Sequence, residues 1–155
     1  MSQPVAIITG AASGMGLALT KHLVAQGWRV VMADVNEDSG TRTAAQLGDQ
    51  VLFRATDITS YSQQANLFEN AFSWGGNRVD LFAANAGIAD TQYLYDKDER
   101  YDENGLLMPL DLRTSEVDFV AVVQGIWLFK HYARRNKIPG GKVVITSSSA
   151  GLYPM

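Results

Sequence analysis

The feature that most constrains this sequence is an alternation of two kinds of segment. Five short apolar runs stand out: VAIITG (Val5–Gly10), RVVMAD (Arg29–Asp34), VLFRATD (Val51–Asp57), VDLFAANAG (Val79–Gly87) and KVVITSSS (Lys142–Ser149). Each is short, rich in β-branched residues and bounded by turn or cap residues, the pattern of a buried strand. Between them lie segments with helical spacing, about residues 14–26, 39–47, 62–74 and 115–135. Strand alternating with helix means βαβ units, and hence a parallel sheet with helices on its faces. The expected class is therefore α/β, a doubly wound parallel sheet of five strands. A chain of 155 residues without repeats, low-complexity tracts or a linker is expected to be a single domain, 1–155. One segment breaks the rhythm. Residues 90–111 are polar and charged, with tyrosines at 93, 95 and 101 and an apolar patch, Leu106–Leu107–Met108. This reads as a surface loop insertion; loops of that length are either functional or tolerated additions.

Composition narrows the function. With 46% hydrophobic and 19% charged residues the chain is ordinary for a globular fold. Its net charge of −3 gives no reason to expect nucleic acid as a partner. The absence of cysteine excludes disulfides, thiol catalysis and cysteine-based zinc sites, and no metal site is expected. No apolar stretch approaches the roughly 18–20 residues needed to span a bilayer, and the N-terminus does not read as a signal peptide. A cytoplasmic location, with no membrane partner, is the expectation.

The chemistry gathers at the ends of the apolar runs. TGAASGMG (Thr9–Gly16) follows the first strand and opens the first helix. Its glycines, Gly10, Gly14 and Gly16, permit a tight turn, and the helix start offers free N–H groups and a positive dipole end to a phosphate. The spacing differs from the common G-x-G-x-x-G, and a plain strand–helix turn would use the same residues. Asp34 ends the second strand, about 20 residues past the glycine turn, where a carboxylate accepts hydrogen bonds from the ribose of NAD and repels the 2′-phosphate of NADP. A turn or cap aspartate is the plainer reading. In TDIT (Thr56–Thr59), Asp57 is suited to an adenine amino group and Ile58 to its ring; Asp57 or Thr59 is equally suited to capping the next helix. In NAG (Asn85–Gly87), Asn85 can tie neighbouring strands together while Ala86 and Gly87 leave room beside it. All these positions fall at carboxyl ends of strands, where open α/β sheets bind ligands.

TGAASGMG, Asp34, NAG and ITSSSAG, in this order and spacing, resemble the short-chain dehydrogenase/reductase family, over essentially the whole chain. The Asp34 type and the HYARRNKIPGGKVVITSSSAGLYP style are similar to its NAD-dependent, 15-hydroxyprostaglandin dehydrogenase-like members. The resemblance implies a Rossmann-like sheet in the order 3-2-1-4-5. It implies NAD as cofactor, held by Gly10, Ser13, Gly14, Met15 and Gly16 in the turn, by Asp34 and Val35, by Asp57 and Ile58, and by Asn85, Ala86 and Gly87. It implies hydride transfer between the nicotinamide and a secondary alcohol or ketone, here a small apolar one.

Further roles carry over one residue at a time. The family's substrate-orienting serine falls on Ser148, since Ala150 and Gly151 follow it. Its helix asparagine falls on Asp118, a departure, because a carboxylate accepts hydrogen bonds but donates none unless protonated. Tyr93 and Tyr153 are candidates to touch substrate, although Tyr153 serves equally as a loop anchor. The family's Tyr-x-x-x-Lys pair lies beyond the serine; only seven residues follow Ser148, and none forms that pattern. The expectation is therefore an incomplete chain that lacks the family's last strands and helices and is by itself a poor dehydrogenase. Two alternatives stay open: a short form acting as a cyclase or isomerase, or a non-catalytic dinucleotide- or partner-binding protein. In the last case KVVITS, an exposed sheet edge, would pair with another copy or a longer relative.

Overall fold

The computed structural model describes residues 3–91 and 99–148. Five parallel strands form one sheet in the order β3-β2-β1-β4-β5, as expected from the sequence. They are β1 (Val5–Thr9), β2 (Arg29–Asp34), β3 (Val51–Ala55), β4 (Leu81–Ala84) and β5 (Lys142–Ile145). The helices are α1 (Gly14–Ala25), α2 (Glu37–Leu47), α3 (Tyr61–Trp74), a single turn α4 (Arg113–Ser115) and α5 (Ala121–Ala133). A π-helical segment, Glu116–Val120, joins α4 to α5.

The central strand explains the layering. Successive side chains of a strand point to opposite faces, and β1 is wholly buried, so both faces must be covered. Ile7 packs into a cluster with Leu67, Phe68 and Phe72 of α3 and Leu128 and Phe129 of α5. Ala6 and Ile8 point the other way, into a cluster with Leu23 of α1, Val30 and Met32. Helices α3 and α5 thus cover one face and α1 and α2 the other. Phe82 sits at the heart of the first cluster, 1% exposed and edge-on to Phe68 with ring centroids 5.2 Å apart.

Several boundaries differ from the sequence reading, each for a local reason. The fourth apolar run starts at Val79, but β4 starts at Leu81. The backbone of Val79 is taken by the buried Asn136: its N–H donates to Asn136 Oδ1 (2.9 Å) and its carbonyl accepts from Nδ2 (2.7 Å). Helix α2 starts two residues before Ser39 because Asn36 caps it, accepting from the Ser39 N–H at 3.0 Å. The last run, patterned as a strand through Ser149, forms β5 only as far as Ile145; its four residues are exposed at the sheet's edge, the edge expected for KVVITS, where among the described residues it pairs with β4. The π-helical segment had no counterpart in the sequence pattern.

Of the segment 90–111, residues 92–98, including Tyr93 and Tyr95, lie outside the described residues. The remainder turns back on itself in a short antiparallel pairing between Tyr101 and Leu107, with Leu106, Leu107 and Met108 exposed. Its two ends meet where Thr91 Oγ1 donates to Asp111 Oδ2 at 3.3 Å. Arg113, paired with the same carboxylate, holds Asp111 well below the usual carboxylate range. Among the described residues no helix is long and apolar enough to cross a membrane.

Deleting the Phe82 ring leaves a cavity against Phe68 and Phe129. Phe82→Ala is expected to lower stability by about 3–5 kcal/mol, read as a fall in the urea midpoint; a loss under ~1 kcal/mol would show that the site repacks.

Candidate functional site

The carboxyl ends of β1, β2, β3 and β4 open into a cleft of about 370 Å³. Its floor is the turn between β1 and α1. Gly10 takes φ +65°, and a Cβ there would stand 2.9 Å from the Ala86 Cα, closer than side chains tolerate. Gly16 is buried inside the first turn of α1, where a Cβ would collide with the Gly10 carbonyl and approach Asn85 Nδ2 to 2.7 Å. Glycine at 16 lets the helix start press onto the end of β1, and glycine at 10 lets the turn pass close to Ala86 beyond β4. Gly16 therefore serves the packing and does not line the cleft, whereas Gly10, Ser13, Gly14 and Met15 do. Ser13 is the N-cap of α1 but makes no side-chain capping bond. The first N–H groups of the helix are thus left for solvent or a ligand, unlike those of α2 and α3, capped by Asn36 and Ser60.

Asp34 forms the next wall and organises it. Its Oδ2 accepts from the Ala12 N–H at 2.9 Å and its Oδ1 from the Asn36 N–H at 3.0 Å. The plain turn role weighed for this residue is thus real. A carboxylate has about four acceptor positions, so two remain for a ligand. Val35 beside it is 73% exposed, an apolar side chain standing at the mouth of the cleft. Asp57 likewise does two things: it lines the cleft, and its Oδ1 accepts from the Thr59 N–H and hydroxyl at 2.9 and 2.7 Å. Ile58 lies next to it on the same wall.

The opposite wall depends on Thr9. Its Oγ1 accepts from the N–H groups of Asn85 and Ala86, both at 3.1 Å. Asn85 replies through Nδ2, which donates to the Thr9 carbonyl at 3.1 Å, and its Oδ1 accepts from Thr146 Oγ1 at 3.0 Å. One asparagine thereby joins the ends of β1, β4 and β5, the tying role read from the sequence. Asn85, Ala86, Gly87 and Ile88 continue along the cleft, and Val117 of the π-helical segment closes it. Asp118, beside Val117, does not line the cleft. Its Oδ1 accepts from the Ile88 N–H at 3.0 Å, which fixes the segment leaving β4.

Ser148 lies exposed, three residues past the end of β5. Tyr153 lies outside the described residues, as does Tyr93. Ala33, Thr56, Ile88 and Val117 also line the cleft without having been expected there, and Thr9 organises NAG. A buried threonine closing an apolar strand was the available signal for Thr9; nothing in the pattern marked Val117. Among the described residues no group of three or more His, Cys, Asp or Glu side chains is placed to hold a metal ion.

A family model described as short chain dehydrogenase matches residues 4–155. The chain belongs to that family. Among its curated relatives in the short-chain dehydrogenase family, the short-chain dehydrogenase/reductase prx6 of Penicillium rubens is 34% identical over 97% of this chain. The 15-hydroxyprostaglandin dehydrogenase [NAD(+)] of Rattus norvegicus is 29% identical, also over 97%. This chain covers 53% and 52% of those two proteins, so it spans about half the length of the curated relatives it matches. Among solved structures, a short-chain dehydrogenase/reductase from Burkholderia phymatum in complex with NAD superposes with a TM-score of 0.82 at 28% identity. That match covers 99% of this chain and 52% of the other. A 3-ketoacyl-(acyl-carrier-protein) reductase from Brucella melitensis complexed with NADH gives 0.81 at 27% identity, over 98% and 59%.

Gly16→Ala forces the added methyl into the Gly10 carbonyl. It is expected to cost about 1–3 kcal/mol by overpacking, read as a drop in thermal midpoint; an unchanged midpoint would show that α1 slides away from β1 without strain.

Proposed function

We propose that this chain forms the dinucleotide-binding part of an NAD-dependent oxidoreductase that moves hydride between the nicotinamide and a secondary alcohol or ketone. The observation that carries this reading is Asp34, standing in the cleft within a hydrogen bond of the glycine turn. The cleft fits such a cofactor on three grounds. A Cβ at Gly10 would fill its floor, the N–H groups at the start of α1 have no side-chain cap, and Asp34 keeps acceptor positions open. The relatives support the same reading: one carries NAD(+) in its name, and two solved structures hold NAD or NADH.

Each residue then has a task. Gly10, Ser13, Gly14 and Met15 at the start of α1 hold the pyrophosphate, with Gly16 keeping the helix close, since the free N–H groups and the helix dipole favour negative charge. Asp34 accepts from the adenosine ribose hydroxyls and repels a 2′-phosphate. Val35 and Ile58 sandwich the adenine, and Asp57 accepts from its amino group. Asn85, Ala86 and Gly87 keep the wall low enough for the cofactor to pass toward β5. Ser148, on the segment leaving β5, orients the substrate oxygen. Asp118 holds the backbone at Ile88 and leaves its second oxygen for a water. The chemistry that NAD supplies when bound is hydride exchange at the nicotinamide carbon. The acid or base that moves the substrate proton is assigned to no residue among those described.

The exposure of β5 favours a second reading, in which the chain also acts through association. Val144 and Ile145 are each 51% exposed on an edge strand, and such an edge is a template for another strand. A concentration-dependent sedimentation coefficient that Val144→Lys abolishes would support pairing through β5; a monomer at all concentrations would remove it.

The cofactor assignment predicts a preference for NAD over NADP in a fluorescence titration; equal affinities would overturn it. Asp34→Ala should weaken NAD binding by roughly ten- to a hundredfold, the size of hydrogen bonds to a charged group, and shift the preference toward NADP. Because Asp34 also holds Ala12 and Asn36, circular dichroism of the same variant separates lost binding from a lost turn.

A further inference from the structure

The two walls of the cleft are joined from behind by one buried side chain. Gln64, on the first turn of α3, is 2% exposed. Its Nε2 donates to the carbonyl of Ile58 at 2.5 Å and to the carbonyl of Ala121 at 3.1 Å. Ile58 is part of the wall beyond β3. Ala121 is the first residue after the π-helical segment, which carries Val117 of the opposite wall and Asp118, the partner of the Ile88 N–H. We propose that Gln64 is a positioning residue that sets the spacing between the Ile58 wall and the Val117–Ile88 wall, and so the fit of a ligand that spans both. This rests on the NAD reading above.

Three points set Gln64 apart from an ordinary satisfied core residue. Its neighbours on the helix, Leu67 and Phe68, are core hydrophobics, so an apolar side chain would fill the same space without a polar group to desolvate. A carboxamide nitrogen has two N–H bonds, and each is directed to a different cleft-bearing segment. The helix it braces is irregular where it meets the cleft, and π-helical turns are frequent at functional sites. Gly125 makes the approach possible: a Cβ there would stand 3.1 Å from Gln64 Oε1 and 2.6 Å from the Phe82 ring. Removing both donors removes the hydrogen bonds that tie Ile58 and Ala121, the residue that follows the π-helical segment, to α3.

The test uses Gln64→Met, which keeps length and flexibility but has no donor, and Gln64→Glu, which keeps the shape but is acceptor-only when ionised. NAD and AMP affinities are measured by titration, and backbone amide exchange at Ile88 is compared with that of β1. Gln64→Met should bind NAD on the order of tenfold more weakly while AMP, touching one wall, changes by less than about threefold. The Ile88 amide should exchange faster relative to β1, and Gln64→Glu should behave in the same direction. Equal losses for both ligands with a uniform rise in exchange would mean Gln64 serves stability alone, and unchanged affinities with unchanged exchange would likewise overturn the proposal. If the parent protein binds neither NAD nor AMP, the cofactor reading fails, while the Ile88 exchange still decides whether Gln64 couples the two walls.

Discussion

The close approach of α1 to the end of β1 is the contact on which the rest of the site depends. Gly16 lies against the Gly10 carbonyl, and a single methyl group there would part the two elements, while one at Gly10 would press on Ala86 at the end of β4. That approach aims the free N–H groups of α1 across the carboxyl edge of the sheet. It also brings Asn85 within reach of both Thr9 and Gly10, so that β4 ends at the same level as β1. With the helix pushed outward, the cleft would lose its floor and the Thr9–Asn85–Thr146 chain its geometry together.

Several polar side chains here serve architecture and recognition at once. Asp34 holds the turn at Ala12 and the loop at Asn36, yet keeps acceptor positions toward the cleft. Asp57 ties down Thr59 while lining the same space. This economy follows from the position of the site. At the carboxyl ends of parallel strands the chain turns outward, backbone N–H groups lose their ladder partners, and carboxylates and hydroxyls take their place. Groups that satisfy the backbone are then already pointing where a ligand would lie.

The opposite edge of the sheet presents a different balance. β5 is bound on one side by β4 and exposed across its four residues, although its sequence is that of a buried parallel strand. Apolar residues of a parallel strand are normally covered on both faces. Val143, Val144 and Ile145 therefore record a demand for cover that the described residues do not meet.

What the sequence determined by itself was the set of strands, their parallel arrangement and the identity of the family. These follow from local signals: β-branched runs, helical spacing, and glycines placed where a strand must turn into a helix. Most of the cleft was legible for the same reason, because its residues sit at strand ends within a few positions of those signals. Only the tertiary structure decided how the pieces are held in relation to one another. Gly16 turned out to pack and not to line, since its role depends on a carbonyl six residues away in β1's turn. Asn136 shortened β4 from 57 positions away. Gln64 and Val117 meet the site through helices whose sequence pattern speaks only of a buried face. A local pattern reports which side of an element is covered; the partner across a long loop is fixed by packing, and there the sequence carries no periodic trace of it.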